Sequence, residues 1–308
     1  MIKIEKFHKR FGDFVAVRDL TMEVPRGEIF GFIGPNGAGK TTTIRFLATL
    51  LDASAGKATI NGYNVAHQVK EVRRSIGFMP DSFGVYNGMR VWEFLDFFAV
   101  AYGVERKHRQ RLINDVLALV DLHQKRNDLV NALSRGMKQR LCLAKTLVHD
   151  PPVLILDEPA SGLDPRARIE MKELLKELRD MGKTILISSH ILSELADCCN
   201  SVGIMERGEL LACGPIDSIL RAMSEHREIE LTVLNDSAGA ELFLGHHPKI
   251  GGVTREGDTM KFEFNGSDQD VARLSDELLE RKHRVLWIKE NLPSLEAVFM
   301  KVTKGRVQ

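Results

Sequence analysis

No apolar run in this 308-residue chain approaches the roughly 20 residues that carry a helix across a bilayer, so any link to a membrane is expected to pass through a partner. Excess charge of one sign is missing too. Lys and Arg total 43 against 42 Asp and Glu, a net charge of +1, which supplies no field to select DNA, RNA or an anionic membrane as principal ligand. Cysteine is scarce. The four residues Cys142, Cys198, Cys199 and Cys213 lack zinc-site spacing and fit a reducing compartment. Packing is their expected role, with the vicinal pair Cys198-Cys199 the one candidate for redox chemistry. The start, Met1-Ile2-Lys3-Ile4-Glu5-Lys6, alternates like a strand and carries an acid, unlike a signal peptide, so the predicted location is the cytoplasm.

What is present is ordinary for a globular protein: 44% hydrophobic and 28% charged residues, in a length that suggests about two domains. Strand-like runs Met1 to Phe7, Val15 to Val24 and Glu28 to Gly34 are separated by Gly12-Asp13 and Pro25-Arg26-Gly27. A helix from Lys40 follows directly behind a glycine-rich loop. From about 82 to 150 the periodicity becomes helical, with Val91 to Tyr102, Arg109 to Val120 and Gly136 to Val148 as main segments. Pro151-Pro152 ends that insertion, and Val153-Leu154-Ile155-Leu156 reads as a strand buried on both faces of a parallel sheet. Helix (Arg166 to Met181), strand (Thr184 to Ser188), helix (Ile191 to Cys198) and strand (Ser201 to Met205) continue an α/β core. The pattern changes near Met223 to Arg227. This predicts domains over 1–224 and 225–308, the second a small α+β unit in ferredoxin-like βαββαβ order.

The segment Gly34-Pro35-Asn36-Gly37-Ala38-Gly39-Lys40-Thr41 fits G-x-x-x-x-G-K-[ST], with Thr42 behind it. Glycines let backbone N–H groups turn inward around phosphates, Lys40 reaches the terminal oxygens, and the Thr41 hydroxyl is a Mg²⁺ ligand. The unpaired N–H groups of the following helix favour an anion further. At the end of the apolar strand, Asp157 is placed to hold Mg²⁺ and Glu158 to act as general base on the attacking water. ATP and Mg²⁺ are therefore the expected ligands of a P-loop NTPase.

Further residues narrow the class. Leu133-Ser134-Arg135-Gly136-Met137, Ser161-Gly162-Leu163-Asp164 and Ser188-Ser189-His190, in this order, resemble the ABC ATPases over the first 220 or so residues. The resemblance implies a RecA-like core with an antiparallel β subdomain and a helical insertion. It further implies that Ser134 and Gly136 contact the γ-phosphate of ATP held by a second subunit, that Asp164 belongs to the loop crossing the dimer, that His190 touches the γ-phosphate, and that Phe11 stacks on adenine. Ser134 is also placed to cap the helix that begins behind it. The implied function is an ATP-hydrolysing subunit on the cytoplasmic face of a membrane, driving transport through separate permease subunits. The tail Asn291 to Phe299 resembles cassettes of ABC-2 type exporters and favours export. A soluble ABC ATPase acting on nucleic acid or ribosomes is the alternative, but the chain has one cassette, no heptad run and no cysteine cluster. A third possibility makes the C-terminal unit a small-molecule sensor that regulates the ATPase.

Two departures stand out. Asp81 occupies the place where the family often has a Mg²⁺-ligating Gln. One methylene fewer shortens its reach by roughly 1.5 Å, so it must act through water or after a backbone shift. In the signature, Arg135 and Met137 replace the Gly and Gln of the common form. The run Glu105 to Arg111 reads as a solvated loop and helix start, and the aromatic helix from Val91 as core of the insertion.

Overall fold

The structure is a computed structural model that describes residues 1–82, 84, 88–192, 195, 197–223 and 227–303. The chain divides into two compact units, one of Met1–Ile216 with the chain from Val302 onward and one of Asp217–Lys301. The division lies at the start of the helix Ile216–Met223, whereas the composition change marks its end.

In the first unit, β1 (Ile2–Phe11) and β2 (Phe14–Val24) form a hairpin that joins β4 (Ala55–Ile60) and β5 (Tyr63–Asn64) in an antiparallel sheet ordered β2-β1-β4-β5. The second sheet is built on β3 (Ile29–Ile33), β6 (Ile76–Met79), β7 (Val153–Asp157), β8 (Thr184–Ser189), β9 (Ser201–Glu206) and β10 (Glu209–Pro215). Its order is β10-β9-β3-β8-β7-β6. Strands β9, β3, β8, β7 and β6 run parallel, with β10 antiparallel at the edge. Every residue of β3 and of β7 is buried, as continuous apolar runs in a covered parallel sheet require. Helix α1 (Lys40–Leu47) packs on this core, and Phe7 of β1 stacks on its Phe46 with ring centroids 4.2 Å apart. Burying a ring of that size is worth about 1.5–3 kcal/mol. The short helix α2 (Val69–Ser75) leads into β6.

Between β6 and β7 lie α3 (Val91–Ala101), α4 (Arg106–Leu119) and α5 (Arg135–Leu147). Val91, Phe94, Leu95 and Ala99 of α3 are buried, with Ile113 and Leu117 of α4 and Leu141 of α5. Periodicity locates these helices well. Helix α4 starts earlier than predicted because Glu105 already has extended N-cap geometry and the basic residues behind it are helical. Helix α6 (Pro165–Asp180) follows β7. The helix expected from Ile191 to Cys198 falls partly outside the described residues, as do Ser224 to His226 at the predicted domain boundary.

The second unit includes α7 (Ile216–Met223) from Asp217 onward, then β11 (Arg227–Val233), α8 (Ser237–Gly245), β12 (Ile250–Glu256), β13 (Thr259–Phe264), α9 (Asp268–Glu280), β14 (Val285–Asn291) and α10 (Leu295–Val302). Its sheet is antiparallel in the order β12-β13-β11-β14, the arrangement of a ferredoxin-like βαββαβ unit. Ile229, Leu231, Phe262, Phe264, Leu274 and Leu278 belong to its core. Among the described residues, no helix is long and apolar enough to cross a membrane.

Candidate functional site

The loop Gly34–Gly39 joins β3 to α1 at the carboxyl edge of the parallel sheet, where ligands bind in α/β folds. Only glycine suits two of its positions. Gly39 has φ 102°, and a Cβ there would meet the Ala16 carbonyl oxygen at 2.7 Å; a Cβ on Gly34 would meet that of Met205 at 2.4 Å. The loop borders a cavity of about 360 Å³ lined by Pro35 to Thr42, Asp81, Glu158, Ser161 and His190, with Phe14 and Ala16 from the β1–β2 hairpin.

Lys40 is buried and donates to the carbonyls of Gly34 (2.6 Å) and Pro35 (3.2 Å), with its Nζ 3.8 Å from Glu158 Oε1. Burial lowers its pKa, opposed by the Glu158 and Asp157 carboxylates. Asp157, at the end of β7, accepts from Ser188 Oγ at 2.6 Å and Thr41 Oγ1 at 3.4 Å, both on Oδ1. Burial raises its pKa and the two hydroxyls oppose that. A buried carboxylate beside a threonine hydroxyl, with Asp81 in the cavity lining, is the kind of oxygen donor set a hard divalent cation takes.

Glu158 leaves the strand with φ 51°, a left-handed conformation that costs a non-glycine residue energy and marks functional turns. Its backbone N–H donates to Ser188 Oγ at 3.0 Å, and its carbonyl accepts from Ser161 N at 3.1 Å. Its Oε2 lies 2.8 Å from His190 Nδ1. The pair forms a hydrogen bond in the tautomer that carries the proton on that nitrogen. The glutamate side chain is 12% exposed and the imidazole 41%. Glu158, His190 and Lys40 thus all line the cavity.

Ser188, which the sequence reading did not assign as a site residue, is the connection between these acids. It pairs in register with Asp157 across β7 and β8, so one hydroxyl donates to Asp157 and accepts from Glu158. A hydroxyl at the end of the strand before His190 is the sequence signal, but only the register gives it meaning. Phe11 does not line the cavity. It faces Phe14 across the hairpin turn and carries Lys9 Nζ 5.0 Å from its ring centroid; Phe14 is the aromatic at the cavity wall.

Ser134, Gly136 and Asp164 also lie outside this cavity's lining. Ser134 is exposed and caps α5, accepting from Met137 N at 3.3 Å, and Asp164 caps α6, accepting from Ala167 N at 2.9 Å. The two helix starts are joined. Arg135 donates to the Ser161 carbonyl at 3.4 Å, and buried Gln139, one turn on, donates to that of Pro159.

A glycine loop ahead of a helix, a strand-end Asp-Glu pair and a parallel sheet define a P-loop ATPase. The ABC transporter family model matches residues 17–161. The bacitracin transport ATP-binding protein BcrA of Bacillus licheniformis is 36% identical, covering 99% of this chain and 98% of the relative. The linearmycin resistance ATP-binding protein LnrL of Bacillus subtilis is 28% identical over 98% of both. A solved ATP-binding subunit of an ABC transporter superposes with a TM-score of 0.66 at 32% identity, covering 72% of this chain and 92% of that one. This chain belongs to the ABC transporter ATP-binding proteins and is an ATP hydrolase serving ATP-driven transport.

Proposed function

We propose that the chain works as one of two cassettes that close on two Mg-ATP molecules and drive export through separate membrane subunits. One observation carries this reading: the cavity holds Lys40, Thr41, Glu158 and His190, while the start of α5, with Ser134 exposed and Gly136 half-buried, is not part of its lining. A capped helix N-terminus presents N–H groups to an anion, and a second copy supplies that anion as the γ-phosphate of its own ATP.

Within one site, the loop amides and Lys40 take the β and γ oxygens, and Phe14 offers its ring to adenine. Mg²⁺ held by Thr41, and by Asp157 and Asp81 through water, would neutralise phosphate charge. Glu158 accepts the proton of the attacking water while His190, tied to it, keeps the carboxylate aimed. Arg135 and Gln139 fasten α5 to the loop behind Glu158, so closure at one start is felt at the other. Relatives named for bacitracin transport and linearmycin resistance favour export of drug-like cargo.

Glu158→Gln should cut turnover roughly 10²–10⁴-fold and accumulate an ATP-bound dimer in light scattering. A monomer at saturating ATP would refute the shared site. Affinity purification should recover a membrane protein; recovery of ribosomes or nucleic acid alone would favour the soluble alternative. Efflux by the purified complex in proteoliposomes tests direction, and uptake overturns it.

A further inference from the structure

Behind the nucleotide cavity the chain turns at Cys198 and Cys199, both thiols, with sulfurs 4.0 Å apart. The turn is fastened to the core. Asn200 N–H donates to the Ile29 carbonyl at 2.9 Å, and Ile29 N–H donates back to Asn200 Oδ1 at 3.0 Å. The Cys199 sulfur lies over the bare Cα of Gly31 in β3, where an added Cβ would meet it at 3.0 Å. Cys198 is 4% exposed and lines a small cavity with Pro159, Ala160, Ser188 and Ser189. The dithiol therefore touches the strand that feeds the glycine loop and the wall behind Glu158 and His190.

Chemistry favours this pair over the remaining thiols. Cys142 sits in α5 and Cys213 on β10, in separate elements. The hydrogen bond from Cys199 lowers the Cys198 pKa against the effect of burial, helped by Lys172 and Lys176, and the same bond raises that of Cys199. Thiolates are soft ligands. With bonds near 2.3 Å meeting at roughly a right angle on a pyramidal trivalent centre, two sulfurs share one atom when about 3.3 Å apart, so the observed 4.0 Å has less than about 1 Å to close.

We propose that Cys198 and Cys199 form a binding site for a thiophilic trivalent metalloid, and that its occupation arrests ATP hydrolysis. With arsenous acid, As(OH)₃, two As–S bonds form and two As–O bonds break. Each departing hydroxide takes a thiol proton and leaves as water, giving (RS)₂AsOH with arsenic still trivalent. The second thiol binds intramolecularly, so the chelate outlasts attachment to one sulfur. Drawing both sulfurs onto one atom moves Cys199 off Gly31 or inserts bulk behind Ser188, which aligns both site acids. A misplacement of about 1 Å at such groups costs up to roughly 10²-fold in rate.

The full chain is incubated with arsenous acid at neutral pH in the presence of glutathione. Intact mass should show one arsenic per chain, peptide mapping should place it on Cys198-Cys199, and ATPase should fall in step with occupancy and return with 2,3-dimercaptopropanol. Cys198→Ser and Cys199→Ser, which leave the nucleotide cavity intact, should keep basal ATPase and lose the arsenic to glutathione. Cys198→Ala replaces the first should a buried hydroxyl impair folding. Absence of bound arsenic, its location on Cys142 or Cys213, equal retention by the single variants, or full occupancy with unchanged turnover would each overturn the proposal. Mass reads occupancy independently of nucleotide, so failure here is separable from failure of the two-cassette reading.

Discussion

Replacing Ser188 by alanine deletes a single oxygen, yet that oxygen donates to Asp157 at 2.6 Å and accepts the Glu158 N–H at 3.0 Å. A hydrogen bond to a charged group contributes about 1.5–3 kcal/mol, and stranding a buried donor costs about 1–3 kcal/mol. The two overlap, because Glu158 can relax from its left-handed φ of 51° once its N–H is released. A net loss of about 2–4 kcal/mol is expected, which at roughly 2–4 °C per kcal/mol for a domain of this size lowers the melting temperature of the ATPase unit by about 5–15 °C. Turnover should suffer separately. The Glu158 carboxylate would lose the backbone tether that aims it, so kcat falls by up to roughly 10²-fold, while KM for ATP changes little because the glycine loop and Lys40 are untouched. Ser188→Cys, nearly isosteric with a weak hydrogen-bonding group, should fall between the two. Calorimetry and steady-state ATPase on the three proteins are the assay. A Ser188→Ala protein with wild-type melting and wild-type kcat would show that register with Asp157 does not organise the acids.

Phe14→Ala should raise KM for ATP by an amount equivalent to about 1–3 kcal/mol of base stacking, with Phe11→Ala much milder; the reverse ranking in nucleotide titrations would return the role to Phe11. Asp157→Asn keeps an acceptor for Ser188 and Thr41 while removing a charge that burial disfavours, so it should melt higher without Mg-nucleotide while losing ATPase; a lower melting temperature contradicts this. His149, stacked on Tyr102 at 3.7 Å with its Nε2 2.9 Å from the Ile76 carbonyl, has its pKa lowered by burial. A folded pKa below the unfolded value of about 6.5 means its contribution is complete above that pH and is lost as pH falls toward the folded value. Urea midpoints between pH 7 and 5 should decline less steeply in His149→Gln; an unchanged slope refutes the assignment.

The glycine loop and the Asp-Glu pair are legible in the sequence because their chemistry is local: a strand, a turn and a helix within one short segment determine where each group points. The insertion helices are legible for the same reason, since Val91, Phe94 and Leu95 repeat at helical spacing and are buried. Strands β4, β5, β6 and β10 went without a predicted counterpart. β4 begins with the exposed Ala55-Gly56-Lys57, β5 and β6 span only two and four residues, and β10 is an edge strand with alternating partial exposure, so none offers a strong repeating pattern. Ser188 and Phe14 were not singled out for another reason, because each takes its place from a partner strand. Ser188 reaches Asp157 through register with a residue 31 positions away, and Phe14 reaches the cavity wall beside a turn so tight that it faces Phe11 directly. Glu158 shows both kinds of information meeting. Its place follows from the strand it ends, whereas its backbone is held at a left-handed φ of 51° with its N–H on a neighbouring strand's hydroxyl, so the sequence locates the residue and the sheet orients it.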